Sequence, residues 1–202
     1  MRTTLRNDGA RALAALAALA TSTLLVGCAS PAADDEPETA TQDLSAPSCA
    51  PGLARDAVPR MHRAVLDTIA YTEGTAGTCG QDGYNTGYAY HCFRTCSSHP
   101  DHVWSGGGYS SSAAGRYQFL TKTWRSLDRD GFGPAEQDRG AMDLVERRGV
   151  KIPEGRPMTS TEFVNALKKM SYEWASLPYS PYGQPRRSLA QTRGRYCDLA
   201  GC

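Results

Sequence analysis

Glu73 is the side chain in this sequence with the setting of a general acid. It follows a predicted helix over 59–72 and directly precedes Gly74, the residue type favoured just past a helix end. The negative end of a helix dipole disfavours an ionised carboxylate at such a place. Burial between two lobes pushes the same way and raises the pKa. A carboxyl that stays protonated near neutral pH is what glycosidic cleavage requires, because the leaving oxygen must be protonated as the bond breaks. The local pattern also fits an ordinary exposed glutamate at a frayed helix end.

Asp82 and Asp101 are the candidates for a second carboxylate. In a retaining glycosidase one of them would stand about 5–5.5 Å from Glu73. Tyr84, Tyr182 and Gln184 are candidates to line a groove, since tyrosine offers a sugar both an apolar face and a hydroxyl. The same tyrosines also serve as packing in a small, loop-rich lobe. The serines show no convincing nucleophile setting, and no glycine loop of the phosphate-cradling kind stands out.

The elements that must position these groups follow from periodicity. Met61, Val65 and Ile69, with Leu66 beside them, give the opening helix its apolar face. Residues 75–115 are rich in Gly, Tyr, Ser and Cys, and predict short strands and loops with a turn at Gly106-Gly107-Gly108. From Arg116 the spacing of Tyr117, Leu120, Trp124 and Leu127 predicts a helix. A further helix opens at Pro134, with Glu136 and Asp138 near its positive end, and closes at Arg147-Arg148-Gly149. Another starts from Thr159-Ser160-Thr161-Glu162, a capping box, and carries Phe163, Leu167, Met170 and Trp174 on one stripe. A short helix over 188–198 completes an α+β domain, with helices around a small strand-bearing lobe.

The N-terminal part reads as targeting. Arg2, Arg6 and Arg11 precede an apolar run over 13–26, too short for a comfortable membrane span of about 20 residues. Leu25-Val26-Gly27-Cys28 resembles the lipobox of bacterial lipoproteins, in which the cysteine becomes the lipidated first residue. Residues 1–27 are therefore expected to be a signal peptide. Residues 28–48 carry Asp34, Asp35, Glu36, Glu38 and Asp43 with no Lys or Arg, and are expected to be a flexible tether. The expected location is the cell envelope, lipid-anchored through Cys28 on the extracytoplasmic face of a membrane.

Residues 49–202 fit one domain. It holds 19 Lys and Arg against 15 Asp and Glu, a net of +4, which suits an anionic polymer such as a bacterial wall. That excess is too small and scattered for nucleic acid. Setting Cys28 aside, Cys49, Cys79, Cys92, Cys96, Cys197 and Cys202 form an even set, read in an exported protein as three disulfides. The pairing is open, and a bridge joining Cys49 to the C-terminal pair is one option. His91, Cys92, Cys96, His99 and His102 have zinc-ligand chemistry, but exported cysteines oxidise, so no metal or cofactor is expected.

Several segments, in order, resemble the bacteriophage lambda endolysin family. Leu66-Asp67-Thr68-Ile69-Ala70-Tyr71-Thr72-Glu73-Gly74-Thr75 resembles its opening, whose catalytic glutamate lies in a Ser-Glu-Gly-Thr context. Gly83-Tyr84-Asn85 is similar to its Gly-Tyr-Asp, and Ser98-His99-Pro100 to its Asp-His-Pro. Ser112-Ala113-Ala114-Gly115-Arg116-Tyr117-Gln118 is similar to its Gly-Ala-Gly-Arg-Tyr-Gln region. Gln137-Asp138, Trp174-Ala175-Ser176-Leu177-Pro178 and Tyr182-Gly183-Gln184 also find counterparts, so the resemblance spans about 64–184.

The resemblance implies a lysozyme-like fold with a cleft between the helical lobe and the disulfide-pinned lobe. It implies a lytic transglycosylase acting on peptidoglycan glycan strands, with Glu73 as acid and then base while the sugar's own 6-hydroxyl closes a 1,6-anhydro ring. Tyr84, Asn85, Gln118, Gln137, Tyr182 and Gln184 are the substrate-binding residues so implied, with Arg116 and Tyr117 structural. Asn85 departs from the family's aspartate, and an amide can bond a sugar but cannot serve as a catalytic carboxylate. The rival readings are a muramidase of the same fold that uses water, a non-catalytic wall-binding lipoprotein, and a zinc-dependent amidase or peptidase acting on the stem peptides. The chain is read as a monomer.

Overall fold

The computed structural model describes residues 49–50 and 57–202. The expected signal peptide, tether and lipidation site at Cys28 lie outside them.

Helix α1, Arg60–Glu73, runs through the interior. From Ala64 to Ala70 every residue is buried, Asp67 and Thr68 included. A helix enclosed on all sides is the centre of a core rather than one wall of it. It packs on α5, Leu189–Ala200, where the Arg60 guanidinium donates to the Ala200 carbonyl at 3.0 Å. Gly74 ends α1 in a left-handed conformation, φ +75°, and returns its N–H to the Ala70 and Tyr71 carbonyls.

The second lobe, residues 75–119, is made mostly of turns. Its regular part is an antiparallel hairpin of β1, Trp104–Gly106, and β2, Tyr109–Ser111. Gly107 and Gly108 both take positive φ, as a two-residue turn of the primed type requires. So little regular structure cannot hold itself, and covalent and polar ties do the work. Cys79–Cys92 closes the lobe on itself, while Cys49–Cys96 joins the start of the domain to it. Cys197–Cys202 clips the end of α5, so the expected bridge between the two ends of the domain does not form. Each end finds a nearer partner.

Two buried clusters fasten this lobe to the helices. Arg116, 1 % exposed, pairs with Asp67 of α1 at 2.9 Å and with Asp82 at 2.6 Å. Asp138 of α3, Pro134–Arg147, accepts hydrogen bonds from Tyr84 at 2.8 Å and from Tyr117 and Arg63 at 2.5 Å. Buried charges stand only when paired and hydrogen-bonded, and these join four separate stretches of chain.

The helical half is completed by α2, Thr121–Arg125, and α4, Ser160–Met170. The predicted caps are present. Pro134 opens α3, and Thr159 and Glu162 form a reciprocal capping box on α4. Two predicted helices are shorter than expected. Residues 114–119 form a tight loop, with Ala114 and Phe119 exchanging backbone hydrogen bonds across it. Gly115 sits at φ +78° where a Cβ would fall 2.2 Å from Gln137 Oε1, so the three- and four-residue spacing from Tyr117 is not a helix there. Likewise α4 stops at Met170. Trp174 is buried all the same, held by its indole N–H on the Tyr117 carbonyl at 3.0 Å.

Candidate active site

A cleft of about 860 Å³ opens at the C-terminal end of α1. One wall is residues 72–75. The opposite wall is the lip 86–90 with the hairpin, and the far side is residues 173–176 and 184–187. Glu73 lies at the junction of these walls. Its side chain is partly buried, and Ser176 Oγ donates to Glu73 Oε1 at 2.5 Å. Burial pushes the carboxyl up to about 7, against the opposing pull of side-chain and backbone hydrogen bonds from Ser176. Desolvation wins because, among the described residues, no cation pairs with the carboxylate to favour its charged form. The group can therefore hold a proton in neutral solution and still release it.

The other carboxylates are engaged elsewhere. Asp82 is bound by Arg116, Asp101 is paired with Arg125, and neither lines the cleft. Glu173 does line it, but its carboxylate is held by Arg148 at 2.7 Å. Among the described residues, Glu73 is the cleft carboxylate without a cationic partner.

A model of the family described as Endolysin matches residues 63–202. The chain belongs to the endolysin family. Curated relatives include the endolysin of Escherichia phage P2, 33% identical over an alignment of 147 residues that covers 62% of this chain and 84% of that protein. The endolysin of Escherichia phage lambda is 31% identical over an alignment of 136 residues, which covers 63% of this chain and 83% of that protein. The bacteriophage lambda lysozyme complexed with a chitohexasaccharide superposes with a TM-score of 0.63 at 27% identity, over 70% of this chain and 95% of that one. A second structure of lysozyme from bacteriophage lambda gives a TM-score of 0.53 at 24% identity, over 71% and 92%, and bears on the fold alone. The α+β, lysozyme-like architecture expected from the sequence is the one found.

Within this endolysin fold the expected binding residues divide. Gln118 and Gln184 line the cleft. Gln118 adopts φ +49°, and its Nε2 donates to the Thr86 and Gly115 carbonyls at 3.0 Å, which leaves its Oε1 for a ligand. Contrary to the expectation that they bind substrate, Tyr84, Asn85 and Gln137 lie buried away from the cleft surface. Tyr84 is fully buried with its hydroxyl on Asp138. Asn85 spends its Nδ2 on the Cys79 and Phe93 carbonyls, both at 3.2 Å. Gln137, with no exposed surface, accepts from the Arg116 N–H and donates to the Tyr84 and Phe132 carbonyls. These three brace the lobe. Tyr182 is exposed but outside the cleft, with its hydroxyl on the Tyr172 carbonyl at 2.9 Å.

The zinc-type cluster is dispersed. Cys92 and Cys96 are in disulfides with different partners, which removes both thiolates. His99 accepts the Asp101 N–H at Nδ1, so the ring proton is on Nε2, which donates to the Phe119 carbonyl at 2.8 Å. Burial lowers its pKa. His91 and His102 pack on Trp104.

Three cleft residues have no role in the sequence reading. Ser176 is 103 residues from Glu73, and the family-like segment 174–178 marked its position without a role. Tyr109, 76 % exposed, and Tyr90, whose hydroxyl stands over Gly74, form the rim. The tyrosine enrichment of 75–115 was the signal for those two.

Proposed function

We propose that this protein is a lytic transglycosylase that cleaves the β-1,4 bond between N-acetylmuramic acid and N-acetylglucosamine in peptidoglycan. As a member of the endolysin family it is a lysozyme-like, peptidoglycan-cleaving enzyme; the finer reaction is inferred from the cleft. Glu73 carries it. A single carboxyl near pH 7, with no second free carboxylate beside it among the described residues, suits a reaction in which one group is acid and then base. Protonated Glu73 gives its proton to the glycosidic oxygen as the C1–O bond breaks. The resulting carboxylate takes the proton of the muramyl 6-hydroxyl as that oxygen bonds to C1. The products are a new 4-hydroxyl end and a 1,6-anhydro end, with no water consumed. That a lambda lysozyme relative holds a chitohexasaccharide supports a glycan as the occupant.

The proposal extends to the cell. Residues 1–27 direct export, lipidated Cys28 anchors the chain to the extracytoplasmic face of a membrane, and residues 28–48 tether the enzyme to that anchor and set its reach into the wall. Mass spectrometry of the mature N-terminus tests this part: an acylated Cys28 supports it, and an unmodified N-terminus elsewhere removes it.

Digestion of purified wall in ¹⁸O-water tests the chemistry. Anhydro-muramic ends without ¹⁸O are expected. Reducing ends carrying ¹⁸O would replace the transglycosylase with a hydrolytic muramidase. Glu73→Gln is expected to lower turnover by about 10²–10⁴-fold while leaving wall binding intact. Equal clearing by mutant and wild type would remove Glu73 from the mechanism and leave a wall-binding protein.

A further inference from the structure

The exposed large apolar side chains of the described surface fall almost wholly into two groups. Tyr90, Tyr109 and Leu120 rim the cleft that holds Glu73. Tyr172, Tyr179 and Tyr182, between 43% and 55% exposed, gather elsewhere. Tyr172 and Tyr179 line a second, shallower depression of about 540 Å³ together with Arg148, Lys168 and Lys169. Tyr182 joins them through its hydroxyl on the Tyr172 carbonyl.

The cations and rings are interleaved. The Arg148 guanidinium lies 5.6 Å from the Tyr172 ring centre, and Lys168 Nζ lies 5.5 Å from that of Tyr179. Tyr179 holds its ring there from φ +71°, a conformation that a bulky residue rarely adopts. Arg148 is neutralised by Glu173. Lys168 and Lys169 are exposed and have no carboxylate partner among the described ion pairs, although Lys169 Nζ also donates to the Gly149 carbonyl at 2.7 Å. Their place in the last turn of α4 offsets that helix's negative end, which accounts for the charges but not for the exposed rings beside them.

The depression adjoins a wall of the active site, and the Arg148–Glu173 ion pair ties the two together. Tyr172 lies in it, Glu173–Ser176 lines the cleft, and Ser176 bonds Glu73. Four residues of chain span at most about 14 Å, so the depression lies close to the wall of the cleft.

We propose that this depression is a secondary binding site for the peptide-bearing glycan strand whose sugar backbone occupies the cleft, with Tyr172 and Tyr179 against sugar or peptide and Lys168 and Lys169 on stem-peptide carboxylates. The proposal rests on peptidoglycan being the substrate. Its partner is the same polymer because cleft and depression share one segment, and its carboxylates complement the two lysines.

The test is sedimentation of the full chain with insoluble wall, in a Glu73→Gln background that binds without cutting. Lys168→Gln/Lys169→Gln is expected to bind peptide-bearing wall about fivefold more weakly at low salt, with the difference vanishing at 0.5 M salt. On strands stripped of stem peptides by an amidase, the double variant and its parent are expected to bind alike. Tyr172→Ala is expected to weaken binding to both. Equal binding of the lysine variant and its parent to peptide-bearing wall would overturn the proposal. So would a loss that persists on stripped strands but disappears once phosphate polymers are removed with acid, which would transfer the site to a phosphodiester ligand. Product release by the chain with Glu73 intact is read in parallel, so a failure of the activity is told apart from a failure of this site.

Discussion

Ser176 Oγ donates a 2.5 Å hydrogen bond to Glu73 Oε1 from 103 residues away in the chain. The bond opposes burial. Burial drives the carboxyl towards its neutral form, the serine favours the charged one, and the balance leaves the group near pH 7. A carboxyl with that balance can serve as acid and as base in one turnover.

Removing the serine tips the balance. In Ser176→Ala the charged form loses its donor and the pKa of Glu73 rises further. Since the protonated form acts first, activity of the wild type is expected to fall as pH rises through about 7. In the variant the alkaline limb of kcat/KM should move up by about one pH unit. A pH–rate profile of wall clearing reads this directly, and an unmoved limb would detach Ser176 from the titration.

Glu73 also links stability to pH. Folded, it keeps its proton up to about pH 7, whereas in the unfolded chain it ionises near 4.5. Its burial is therefore tolerated fully below pH 4.5 and becomes destabilising as pH rises through 7. Glu73→Gln carries no such charge. Relative to wild type, it is expected to gain up to about 3 kcal/mol between pH 4 and pH 8, measured by urea denaturation at both.

Gln137 separates a brace from a substrate contact. Gln137→Leu leaves the Arg116 N–H and the Tyr84 and Phe132 carbonyls without that partner inside the core. A loss of about 3 kcal/mol in stability is expected, with KM of the remaining folded enzyme unchanged. A raised KM at unchanged stability would return Gln137 to the binding residues.

The disulfides are not equivalent. Cys79–Cys92 closes 13 residues in a lobe with one small hairpin, while Cys197–Cys202 closes five at the end of a packed helix. Replacing both cysteines of the first bridge by alanine is expected to cost about 3 kcal/mol, and the second less. Thermal melts of the two double variants rank them, and clearing activity should follow the same order because the first bridge holds the cleft lip.

What was legible in the sequence is what neighbouring residues dictate. Gly74 as the end of α1, Pro134 at the start of α3 and the Thr159/Glu162 box depend on backbone groups within a turn of the chain, so their residue types suffice. The acid at the end of the first helix was legible for the same reason. An even cysteine count foretold three bridges but not their pairing, because pairing depends on which Cα atoms come within reach. Where the loop at 114–119 replaced a helix, a contact from α3 at Gln137 outweighed local periodicity. Tyr84, Asn85 and Gln137 belong to family motifs that mark a position without saying which way it faces. Only the packed chain decided that these three are spent inside the lobe and that Ser176 reaches Glu73, because burial and long-range hydrogen bonding are properties of the assembled core and not of any one segment.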